Sequence, residues 1–117
     1  MPRKAELGKE DKIKKEKNRL TRVFKFLDKN KLATVRPLID NAAFTAISLD
    51  ELQEIINRNG YTDEYQNGEH QKGVKQAPEV QMHIAMTRNL STIIKQLVDL
   101  APPEKRKDSK LEALRRE

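Results

Sequence analysis

The chain has 117 residues, of which 36% are apolar and 36% are charged, so there is room for one small domain and only a small interior per subunit. It has no cysteine, which excludes disulfides, thiolate metal sites and cysteine nucleophiles, and no apolar run long enough to span a bilayer. The formal charge of +6 is confined to residues 1–29, with eleven Lys and Arg against five Asp and Glu, while the remaining residues balance at thirteen of each sign.

The N-terminal stretch MPRKAELGKEDK lacks the apolar segment of a secretory leader, and a reduced, cytosolic, soluble protein is the expectation. Residues 1–11 read as a basic, mobile N-terminus ahead of a helical domain over 12–100. The helical pattern itself runs from Lys9 to about Asp28, where Ile13, Leu20, Phe24 and Leu27 form one narrow apolar stripe. Glu10 and Asp11 complement the helix dipole in its first turn.

After Asp28-Lys29-Asn30 a second helix is expected to end near Ala46, with Leu32, Val35, Ile39, Ala43 and Ala46 on one side. Pro37 fits either a kinked helix from Asn30 or a start at Thr34 that puts the proline in the first turn. Ser48-Leu49-Asp50-Glu51 has the form of a capping box and predicts a separate third helix over Leu49–Asn59, burying Leu52, Ile55 and Ile56. Gly60 supplies the left-handed residue at its end.

From Gly60 to Pro78 the periodicity breaks. Three of the four glycines fall there, and Asn67-Gly68 is a tight-turn signal, so a hairpin-like excursion pinned by Tyr61 and Tyr65 is predicted. Pro78 then opens what reads as the longest helix, running to Leu100 before Pro102-Pro103. This helix carries two apolar stripes, Val80, Ile84, Thr87, Ile94 and Val98 on one side and Met82, Met86, Leu90, Ile93, Leu97 and Leu100 on the other. One stripe suffices for one core, so the second is assigned to another subunit, with Met82, Met86, Leu90, Ile93 and Leu97 as the oligomer interface. Residues 101–117 form a charged tail with no core of its own. The expected architecture is all-α, of about four helices with a long glycine-containing loop or hairpin, assembling as a homo-oligomeric ring.

Chemistry is scarce. No phosphate-binding loop, zinc-protease motif or nucleophile elbow occurs, and Asp50 and Glu54 are ordinary charges on an amphipathic helix. His70 and His83 are thirteen positions apart, which suits no compact metal site. No catalytic residue, metal ligand or cofactor is assigned, and the chain reads as a non-enzyme.

Lys12, Lys14, Lys15, Lys17, Arg19, Arg22 and Lys25 on the first helix are the candidate DNA-binding residues, since cations spaced around a helix neutralise several phosphates at once. Asn18, Arg19 and Arg22 have the chemistry for base edges. With 4% aromatics, stacking on single strands is not supported. A helix-turn-helix with Leu49–Asn59 as reader is disfavoured, because Asp50, Glu51 and Glu54 occupy the end that normally meets bases.

Several short segments, in order and at fixed spacing, resemble one family. They are Asp40-Asn41-Ala42-Ala43-Phe44, Leu49-Asp50-Glu51-Leu52-Gln53, Asn59-Gly60, Glu64-Tyr65-Gln66-Asn67-Gly68, Gln71-x-Gly73-x-Lys75, Pro78-Glu79-Val80 and Ile93-Ile94-Lys95-Gln96-Leu97. Together they look like the small terminase subunits of tailed bacteriophages with cohesive-end genomes, from about Lys12 to Leu100; Pro37 departs from the family pattern, and the tail is outside the match. The resemblance implies a ring-forming subunit that binds double-stranded viral DNA at the packaging region. It would work in the host cytoplasm with a large subunit carrying the ATPase and nuclease. Two other readings stay open: a small basic transcriptional or nucleoid-associated regulator, and a helical oligomer whose lysines are only solvated surface.

Overall fold

The computed structural model describes residues 8–66, 68–69 and 71–101. Over these the chain is mostly helical, with α1 at Lys9–Val23, α2 at Lys29–Asn59, β1 at Thr62–Gln66, β2 at Lys72–Gln76 and α3 at Pro78–Asp99. The all-helical expectation holds in outline, with three helices among the described residues rather than about four, and the expected hairpin is present as a two-stranded antiparallel sheet.

Helix α1 begins at Lys9, inside the stretch read as a mobile N-terminus, and Lys9 Nζ lies 2.7 Å from Glu51 Oε1 on α2. The helix ends at Val23, five residues before the expected Asp28. Phe24 still bonds back to the Leu20 carbonyl, but Lys25 and Leu27 bond only three residues back, to Arg22 and Phe24. This tightening turns the chain while Phe24 and Leu27 stay buried, so the apolar stripe continues into the corner after the helix has stopped. The Phe24 and Phe26 rings meet there at 6.1 Å, tilted by 49°.

Asp28 caps α2, its carboxylate accepting from the Lys31 N–H at 2.8 Å. From there α2 runs unbroken for 31 residues and is the longest helix, ahead of the 22-residue α3. Pro37 lies in its interior with its ring exposed, which corresponds to the earlier of the two starts considered. The expected break near Ala46 and restart at Leu49 are absent. Ser48 is instead a buried mid-helix residue whose hydroxyl has no hydrogen-bonding partner, so the capping box is not formed. The capping pattern misled because Thr45, Ser48, Leu52 and Ile56 continue the buried face of the preceding turns at helical spacing. Burial of Leu52 and Ile56, with Ile55 half-buried, agrees with expectation.

Gly60 ends α2 at φ 82° and ψ −173°, and its N–H bonds to the Ile56 carbonyl. The positive φ was expected, but the extended ψ belongs to a region open essentially to glycine alone and sends the chain straight into β1. The hairpin pairs Thr62 with Gln76, Asp63 with Lys75, Glu64 with Val74, Tyr65 with Gly73, and Gln66 with Lys72. Tyr65 does pin it, by lying over Gly73, where an added Cβ would fall 2.5 Å from the Tyr65 hydroxyl. Tyr61 does not, being largely exposed; only its backbone carbonyl contributes, accepting from the Ala77 N–H at 2.9 Å. Asn67 and His70 lie outside the described residues.

The core draws Leu20, Phe24 and Leu27 from α1 and its corner, Val35, Ile39, Ala42 and Ala43 from α2, Ile93, Leu97 and Val98 from the end of α3, and Ala101 from just beyond it. Helix α2 packs against both other helices, and the fully buried Ala42 and Ala43 let their backbones approach closely. All three buried residues of α3 lie in its last two turns. Its first half and the hairpin stand off this core, and the principal extents of 63 × 43 × 24 Å reflect an elongated shape.

Candidate nucleic-acid interface

The buried stripe of α1 leaves the other side of that helix to its cations. Lys12, Lys14, Lys15 and Arg22 are exposed on it, and Lys25 is exposed just beyond its end. Two of the seven candidates are engaged by acids. Arg19 makes a two-pronged contact with Glu16, Nε to Oε1 at 2.7 Å and Nη2 to Oε2 at 2.8 Å. Lys17 Nζ is 3.7 Å from Asp40 Oδ1 on α2. Bidentate guanidinium–carboxylate geometry fixes Arg19 against its own helix and makes it the least available of the set to a phosphate. The Lys17 pair is exposed and worth little, so its ammonium can exchange partners.

The second half of α2 lies beside α1 and supplies acids that a helix-by-helix reading of the sequence treats separately. Lys12, Lys15, Arg19 and Arg22 form one wall of a shallow cleft, and Asp50, Gln53 and Glu54 form the other. At its end Lys9 sits between Glu51 and the face of the Phe44 ring, 4.9 Å from the ring centroid. The cations of α1 are therefore divided. Those toward α2 face acids across the cleft, whereas Lys14 and Lys25 are exposed and lie outside it.

The structure also adds cations that the charge count of the first helix does not include. Lys29, Lys31 and Arg36 are exposed at the start of α2, next in the chain to Lys25. Asp28 is the only acid from Lys25 to Arg36, and its carboxylate is turned onto the Lys31 amide as the helix cap. This corner carries a local excess of positive charge on short, well-fixed backbone. The signal was visible in the sequence as four cations against one acid, but Lys25 was read with the first helix, Lys29 with the connection and Lys31 and Arg36 beyond it, so the four were not counted as one surface. Of the other basic stretches in the sequence, Lys72 and Lys75 lie on β2, remote in sequence from this corner, and Lys105–Lys107 lie outside the described residues.

For the oligomer interface, Ile93 and Leu97 are corrected: both are in the subunit's own core, 4% and 0% exposed, and cannot be offered to a neighbour. Leu90 is half-buried against the same core. Met82 is 50% exposed and Met86 half-buried, and Ile84, from the other stripe, is 43% exposed. The two stripes thus do not divide between own core and partner. Burial divides along the axis instead, with the last turns of α3 inside and the first turns open.

Among the described residues no group of three or more His, Asp or Glu is placed to hold a metal, and no helix is long and apolar enough to cross a membrane. No family model, curated protein or solved structure matches the chain.

Proposed function

We propose that this chain is a self-associating, non-enzymatic DNA-binding subunit of the small-terminase type. In this reading it engages double-stranded viral DNA in the host cytoplasm and presents it to a large subunit that packages it. The observation that carries the DNA part is the run of exposed cations Lys12, Lys14, Lys15, Arg22 and Lys25, continued by Lys29, Lys31 and Arg36 at the α1–α2 corner. Contacts of this kind go to phosphates, giving affinity that is strong at low salt and largely indifferent to sequence. Lys17 and Arg19 join them only by leaving Asp40 and Glu16. The apolar first half of α3, with Met82, Ile84 and Met86, supports self-association. A ring would repeat the basic corner around one surface and turn weak contacts into avidity. The order of the terminase-like segments along the chain supports the packaging role.

The reading is tested by native mass spectrometry together with a gel-shift titration of a DNA duplex. A closed assembly of many subunits that shifts DNA is expected. A DNA-binding dimer would instead favour a small basic regulator, and an assembly that leaves DNA unshifted would leave only a structural oligomer.

A further inference from the structure

Among the described elements the hairpin has the least support from its own subunit. It packs on none of the helices beyond isolated contacts, and a lone two-stranded hairpin is marginal in water. Each of its strands has one unpaired edge. The direction of those edges follows from the hydrogen bonding: the Ala77 N–H bonds to the Tyr61 carbonyl, so residues 61 and 77 face each other as an inward, hydrogen-bonded pair. Alternation then turns the backbone of Asp63, Tyr65, Gly73 and Lys75 inward, and that of Thr62, Glu64, Gln66, Lys72, Val74 and Gln76 outward. Two rows of unpaired N–H and C=O groups result, one on β1 and one on β2, and all six outward residues are exposed.

The strands differ in charge. β1, TDEYQ, has Asp63 and Glu64 and no cation, whereas β2, KGVKQ, has Lys72 and Lys75 and no acid. Edge-to-edge pairing of β1 with another β1 gathers acids alone, and pairing of β2 with β2 gathers lysines alone; like charges across a strand pair are unfavourable. Only β1 against β2 brings opposite charges together. A hairpin repeated by translation places β1 of one copy antiparallel to β2 of the next, which is a geometry the ladder accepts.

We propose that the hairpin joins copies of this chain head to tail, the open edge of β1 pairing with the open edge of β2 on the neighbouring copy. The contact is heterologous, so it extends from subunit to subunit and closes where the rotation allows a ring. It buries the edges that a single subunit leaves open and makes the exposed charges the element that selects direction. The proposal rests on the self-association part of the function above and is independent of DNA.

The test is sedimentation velocity on the full chain and its variants across a concentration series. Val74→Pro removes an outward N–H and obstructs the β2 edge while sparing the internal ladder, a position where proline is tolerated. It should raise the concentration at which the assembly dissociates by at least about tenfold, with the far-ultraviolet dichroism unchanged. Glu64→Lys and Lys72→Glu supply a second measurement that does not depend on proline. Each alone should weaken assembly, and an equimolar mixture should restore it, because each variant then meets its complement on both sides. Val74→Pro that folds and assembles like the wild type, or a mixture no better than its components, overturns the proposal. If Met82→Asp dissociates the assembly while Val74→Pro does not, self-association through α3 stands and the hairpin contact falls. A wild type that is monomeric at every concentration removes both.

Discussion

The Ser48 hydroxyl is buried in the middle of α2 without a hydrogen-bonding partner, and its energetics follow from that position. An unpaired buried hydroxyl is a cost, whereas a helix-capping hydroxyl is a gain of about 1 kcal/mol. The two roles predict opposite signs for one substitution. Ser48→Ala should leave the midpoint of thermal unfolding unchanged or raise it, by up to about 1 kcal/mol in stability. A loss of that size would mean that a helix begins at Ser48 after all. Gly73 shows the same dependence on surroundings, since it is the Tyr65 ring across the hairpin, rather than any positive φ, that leaves no room for a side chain there.

Helix α2 shows how far elements were legible. Its end was readable, because Gly60 acts through a local hydrogen bond and local dihedrals, whereas its start was not: Asp28 caps the helix where a connection was expected. Its continuity was not, because Ser48 and Pro37 carry break signals that a long buried face overrides. Ile39, Ala42 and Ala43 are packed by residues of α1 and α3 far away in sequence, and that packing decides whether the helix pauses. The early end of α1 has a similar origin, since Phe24 and Leu27 satisfy one stripe whether or not the chain between them is helical.

Pro37 nonetheless lacks the N–H that would bond to Ala33 four residues back, and it is exposed. Pro37→Ala should therefore stabilise the protein by about 1–3 kcal/mol in thermal unfolding followed by circular dichroism. A drop in stability would show that the proline ring is needed where it stands. Helix α3 gives a paired expectation. Ile93→Asp sets a charge in the core and should abolish cooperative unfolding. Met82→Asp, on the open half, should keep the fold and reduce the size of the assembly seen by light scattering. Equal assembly in Met82→Asp would move the interface away from the first turns of α3.

At the scale of the whole molecule, charge and shape work together. The distribution of net charge was plain in the sequence, but the pairing of α1 cations with α2 acids was not, because residues such as Lys9 and Glu51 meet only through tertiary packing. Packing narrows the candidate DNA surface toward Lys14, Lys25 and the α1–α2 corner and ties Arg19 to Glu16. In the proposed reading the ATPase and nuclease belong to the large subunit, so the purified protein should neither hydrolyse ATP nor cut DNA. Turnover that disappears with a point substitution in this chain would contradict that assignment.

The central claim is that this corner holds DNA by its phosphates. The most direct measurement is fluorescence anisotropy of wild type and a Lys25→Ala, Lys29→Ala, Lys31→Ala variant against a packaging-site duplex and a random duplex at two salt concentrations. The variant should bind both duplexes more weakly, by a similar factor, while the assembly stays intact. Every phosphate that goes unneutralised in the variant should flatten the log–log salt dependence by about 0.9, so the slope should fall by roughly 2–3 per bound subunit. Affinity and slope equal to the wild type would contradict the claim and place the DNA-binding surface elsewhere on the molecule.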